Sequence, residues 1–119
     1  MGAEMGAETG AGRSREQLLA RYRALVLAEL PARARAQRWV VTADHCFGRV
    51  VLDNTVGGRW YDVLGPPGGR RPAFERLDDA QLAAAVALAE RIGEEGDPLL
   101  RELDARSLGW RGKPPKAQP

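Results

Sequence analysis

Apolar residues near the start of this chain recur at spacings of three and four. Leu18, Tyr22 and Leu25 follow one stripe and Leu19, Tyr22, Val26 and Leu30 its neighbour, with Arg21, Arg23 and Glu29 flanking them. This is the period of a helix that buries one face. Ser14 and Gln17 stand just before it at capping-box spacing, where each side chain satisfies an amide the helix start leaves open. Pro31 is expected to interrupt this helix or begin another, because a proline inside a helix costs about 3 kcal/mol. Residues 32–38 favour helix but carry no apolar stripe beyond alanine, which predicts an exposed turn or two.

Trp39-Val40-Val41 is too short to make a sheet alone and reads as an extended connector whose Trp packs inward. A helix from about Ala43 to Thr55 follows, capped by Thr42 or Asp44, with Cys46, Phe47, Val50 and Val51 on its buried side. Arg49-Val50-Val51-Leu52 taken alone reads equally well as a strand. Gly57-Gly58 ends the element. Residues 59–64 suit one or two helical turns, and Gly65-Pro66-Pro67-Gly68-Gly69 is a loop. It is not a phosphate cradle, since its prolines remove the amides one needs. Asp78 and Gln81 repeat the capping spacing ahead of the longest helix, Asp79 to about Glu94, which buries Leu82, Val86, Ala89 and Ile92–Gly93. Gly96 closes that helix, and Asp97-Pro98 reads as a cap followed by proline at the first helical position. Leu99, Leu100, Leu103 and Leu108 line the last helix, with Trp110 folding back over the core. The sum is all-α: a single small domain of four or five helices over residues 13–112. It lies between a disordered tail, 1–12, and a flexible Pro-rich basic tail, 113–119.

Composition narrows the function classes. At 44% apolar residues the chain carries enough to fold as one core. One Cys excludes an internal disulfide framework, a four-cysteine zinc site and a CxxC redox pair. With one His besides, no metal site is predicted. No run is long and apolar enough for a membrane span, and the start is not a secretory signal, so the expectation is a soluble cytoplasmic protein. Charge is uneven: residues 13–38 carry seven Arg and two Glu, residues 70–97 four Arg against seven acids, and residues 101–119 are basic again. Such a dipolar chain suits self-association or an acidic partner. Sixteen arginines stand against two lysines, beside nineteen alanines. Ala, Arg and Gly rise together in GC-rich genes, so that skew needs no ligand.

Chemistry-bearing residues concentrate between Asp44 and Trp60. His45, Arg49 and Asp53 are spaced by four and would share a helical face, with Arg49 and Asp53 paired. His45 is a candidate general base near neutral pH, oriented by Asp44, Asp53 or Asp62. Cys46 points about 100° away from it on a helix, which leaves that thiol without a base and reads as a small buried residue. Asn54 suits a helix C-cap, or with Asp53, Arg59 and Trp60 the rim of a polar pocket. Arg106, Trp110, Arg111 and Lys113 form a second cluster, basic and aromatic as in nucleic-acid contacts, or simply a packed Trp with a solvated basic tail.

His45-Cys46-Phe47-Gly48-Arg49, Leu52-Asp53-Asn54 and Ser107-Leu108-Gly109-Trp110-Arg111-Gly112-Lys113 resemble strings of a family of short bacterial proteins of unassigned function. The resemblance covers about residues 17–113. Some members carry the label GNAT-type N-acetyltransferase, which implies a mixed α/β sheet. It also implies an acetyl-CoA pyrophosphate loop of Arg or Gln, two residues, Gly, one residue, then Gly or Ala. Arg91-Ile92-Gly93-Glu94-Glu95-Gly96 departs from that spacing and places two acids where phosphate would lie. The resemblance therefore brings no cofactor and no site residue.

These observations favour a small helical protein that works by binding another protein or its own copy. The alternatives are a minimal enzyme or ligand-binding protein around His45–Asn54, and a nucleic-acid accessory protein of weak, non-specific affinity.

Overall fold

The computed structural model describes residues 12–115. The expected tails therefore fall mostly outside the described residues. Ser14 opens α1 (Arg15–Ala24) through a complete capping box: its Oγ accepts from the Gln17 amide at 3.1 Å, and Gln17 Oε1 accepts from the Ser14 amide at 2.8 Å. A π-helical turn (Leu25–Glu29) carries α1 into α2 (Leu30–Gln37) without a break. Of the two outcomes expected at Pro31, it does not interrupt the rod but stands in the first turn of a further helix, α2. Its ring would collide with a carbonyl four residues back and it has no N–H to give, but the turn before it is already widened, the Leu30 amide bonding to the Leu25 carbonyl. The wide turn keeps Leu25, Val26 and Leu30 inside and leaves Leu27 47% exposed.

Arg38 ends α2 in the left-handed conformation, φ +60°, a position that favours glycine. The chain then runs extended as expected. Trp39 is buried, and the Val40 amide donates to Asp97 at 2.7 Å. α3 (Asp44–Val56) starts from Ala43 with no side-chain cap, so neither Thr42 nor Asp44 serves. The Ala43 carbonyl takes the Cys46 and Phe47 amides instead. Residues 49–52 lie inside this helix, which resolves their strand-like reading. Gly57 in the left-handed conformation closes it. After α4 (Trp60–Leu64), Arg76 organises the Pro/Gly loop by donating to the carbonyls of Leu64, Gly65, Pro66, Gly68 and Arg71. A 3-10 turn (Ala73–Arg76) leads to α5 (Asp79–Glu95), which carries the second complete capping box, Asp78 with Gln81. α6 (Asp97–Trp110) is N-capped by Gly96, and Asp97 is its first residue. The Asp97 carboxylate is spent holding the connector and Arg101 rather than capping.

Among the described residues there is no strand, and no helix is long and apolar enough to cross a membrane. The domain is all-α, with the α1–α2 rod and four further helices. α3 is its central element, packed against the rod, α5 and α6, so Phe47, Val50 and Val51 are sealed from solvent. Tyr22 stacks on Phe74 with ring centroids 4.6 Å apart. That burial raises the Tyr22 phenol far above its ordinary value of 10.0.

The segregated charges meet inside the molecule. Arg13, just ahead of the rod, and Arg21 pair with Glu90, Arg15 with Asp79 and Arg23 with Glu75, while Arg33 donates to the Gly93 carbonyl. Three acids of the 70–97 segment, Glu75, Asp79 and Glu90, thus pair with arginines of the basic first segment across the α1–α5 seam, which includes the 3-10 turn before α5.

Candidate functional site

Two features stand out: a polar network between α3 and α6, and an apolar groove beside the π turn. The network centres on Asp53, which has no exposed surface. Its Oδ1 accepts from the Trp60 amide (2.9 Å) and Arg111 Nη2 (3.0 Å); its Oδ2 accepts from Ser107 Oγ (2.7 Å) and Arg111 Nε (2.8 Å). Ser107 is the bridge, since it also accepts from Arg49 Nη1 at 2.8 Å. Arg49 Nη2 reaches buried Asp104 at 2.6 Å. Asn54 Nδ2 donates to the Val50 carbonyl in its own helix and to the Leu103 carbonyl in α6, at 2.8 and 2.9 Å. The Arg111 guanidinium is held above its ordinary pKa, first by its hydrogen bond to Asp53, with burial opposing. Four donors on Asp53 leave its oxygens no lone pair for a substrate; what the arrangement does chemically is hold α3 against α6.

This placement corrects several readings. Arg49 and Asp53 do not pair with each other; Arg49 finds Asp104 on α6, and Asp53 finds Arg111, the residue that caps the end of α6. His45 does not join them. Residues four apart drift about 40° per step around a helix, so Asp53 is turned by about 80° from His45. The His45 side chain is 83% exposed, with Asp44 Oδ1 at 3.9 Å as its nearest charge. Asn54 is not the C-cap, because α3 continues to Val56. Arg59 pairs with Asp62 on the surface, while Trp60 packs against the core, edge-on to Tyr61 and beneath Arg76. The second cluster also separates. Arg111 turns inward to Asp53 and Tyr61, leaving Arg106 and Lys113 exposed; Trp110 does not fold back and stays 38% exposed. Asp104 and Ser107 were legible as partners only by phase: they fall with Leu100, Leu103 and Arg111 on one stripe of α6, polar residues where the helix is buried.

The groove has a volume of about 370 Å³ and lies between the rod, the start of α3 and residues 72–74. Tyr22, Val26, Leu52 and Phe74 line its wall, Leu27 stands at its rim, and Asp44 and His45 flank its mouth. Gly48 opens into it. A Cβ built on Gly48 would meet no atom within 4 Å, and its backbone is ordinary helix. No group of three His, Cys, Asp or Glu side chains among the described residues is placed to hold a metal ion. Comparison with protein-family models, with curated proteins and with solved structures finds no match.

Proposed function

We propose that this chain is a small cytoplasmic helical interaction protein whose binding face is the groove beside the π turn, and whose ligand is an apolar side chain of a protein partner. One observation carries this: an exposed leucine and a locally costly helix glycine stand together at that groove. Glycine in a helix interior costs about 1 kcal/mol relative to alanine, yet nothing in the fold uses the space that Gly48 leaves. The π turn, a form that recurs at functional sites, sets a leucine into solvent at the same place. A partner side chain laid against the bare α3 backbone would use both. The arginines point the same way by default. Most are spent on carboxylates and carbonyls of this chain, and only the side chains of Arg35, Arg38, Arg70 and Lys113 are without a partner among the described residues. Four scattered cations neutralise few phosphates at once, which keeps nucleic-acid binding weak and non-specific.

The test is a photo-crosslinker placed at position 27 and, as a control, at exposed position 36 on the far end of the rod, each irradiated in native lysate. Position 27 is expected to give discrete protein adducts and position 36 none. Equal labelling at both positions removes the groove as a binding face.

A further inference from the structure

The groove is apolar along its wall except at Tyr22. That side chain is 1% exposed, and its hydroxyl has no hydrogen-bond partner among the described residues. Desolvation is the one cause that raises its phenol, as for a group with no hydrogen bond to its neighbours. Yet the hydroxyl is not sealed in the core. Among side-chain nitrogens and oxygens of the described buried and half-buried residues, only Arg101 Nη1 is closed off from solvent without a partner. The sliver of surface that Tyr22 keeps therefore includes its hydroxyl, and Tyr22 lines the groove. An O–H held there gains most from a ligand atom that accepts its hydrogen bond.

Size and charge narrow the ligand further. A cavity of about 150 Å³ already holds a benzene ring, and this groove has about 370 Å³, with Gly48 leaving the α3 surface bare. At its mouth the Asp44 side chain is more than half exposed, with His45 at 3.9 Å as its nearest charge. An apolar wall and a carboxylate at the entrance disfavour an anionic tip, so the accepting atom is neutral. Phenylalanine brings no such atom, and the indole N–H of tryptophan only donates. Tyrosine brings an apolar ring ending in a neutral oxygen that accepts.

We infer that the partner side chain this groove takes is a tyrosine, its ring laid over Gly48 and its hydroxyl accepting from the Tyr22 hydroxyl. The inference rests on the groove being the binding face, but it is tested apart from that reading. The full isotope-labelled chain is titrated at neutral pH and followed by amide NMR. The probes are p-cresol, which is the tyrosine side chain, and toluene, which is that of phenylalanine. p-Cresol is expected to shift the amides of Val26, Leu27 and Gly48 and to saturate in about the millimolar range. In Tyr22→Phe, which keeps the ring, the ratio of p-cresol to toluene affinity is expected to fall roughly two- to tenfold. Gly48→Leu is expected to fill the groove and abolish both titrations without lowering the melting temperature. A ratio unchanged by Tyr22→Phe overturns the hydroxyl pairing and with it the choice of tyrosine. No shift at these amides with either probe, or shifts that survive Gly48→Leu, overturn a ring site here. Discrete protein adducts at position 27 would in either case still uphold the groove as a binding face.

Discussion

Two seams of this domain use the same chemistry, arginine against carboxylate, to opposite effect. Across the α1–α5 seam the pairs are open to water: Asp79, opposite Arg15, is 81% exposed, and Arg23 is about half exposed beside Glu75. Such pairs contribute roughly 0–1 kcal/mol each and weaken with salt. Across the α3–α6 seam Asp53 and Asp104 are out of water, and their arginines are themselves largely covered. There the pair need not add net stability, but losing one partner strands a charge where water cannot reach it. Counting ion pairs would rank the α1–α5 seam higher; burial reverses the order.

The largest expected effect follows directly. Arg111→Met should destabilise the fold by about 3–5 kcal/mol in urea unfolding, since Asp53 loses both guanidinium bonds while remaining buried. Asp53→Asn with Arg111→Met should cost less than the sum of the two single changes. A loss below about 1 kcal/mol for Arg111→Met would erase the contrast between the seams.

Alkaline pH separates the regions in another way. Tyr22 is buried on the rod and its phenol is raised, so the folded chain stays neutral there while the unfolded chain ionises above pH 10. Its stabilising contribution is complete below pH 10 and is lost above it, by at most about 1.4 kcal/mol per pH unit. Arg111 is a base whose pKa is raised further by Asp53, so its contribution is present throughout this pH range and the α3–α6 seam adds nothing to the loss. Urea midpoints measured between pH 8 and pH 11 (roughly two units below and one above the phenol's ordinary pKa) should therefore fall for the wild type. They should stay flat for Tyr22→Phe.

Arg38→Gly is expected to raise stability by roughly 0.5–1 kcal/mol, because it relieves a side chain held at φ +60°. A loss would mean that the Arg38 side chain makes a favourable contact. The smallest effect is expected at the exposed seam. Arg23→Gln should cost less than about 1 kcal/mol, and less again in high salt. A larger, salt-resistant loss would show that this pair behaves like the buried ones.

What the sequence determined by itself is local. The capping boxes at Ser14–Gln17 and Asp78–Gln81, the apolar stripes of α1, α3 and α5, and the glycine stop at Gly57 all depend on groups three or four residues apart. Their partners are named by spacing alone, and they appear where the pattern predicts, except that Leu19, Cys46 and Gly93, expected on the buried faces, are only half-buried. What only the tertiary structure decided is which polar groups meet. Arg49 had an oppositely charged neighbour four residues on, yet it bonds Asp104, 55 residues away; Asp53 takes Arg111, 58 residues away. The reason is desolvation. Once α3 and α6 pack, each carboxylate sealed between them must be matched by a donor within the same seam, and the seam exists only in the fold. The widened turn before Pro31 likewise depends on the rod having a core to lie against, which keeps its helix running through a residue that would end it in isolation.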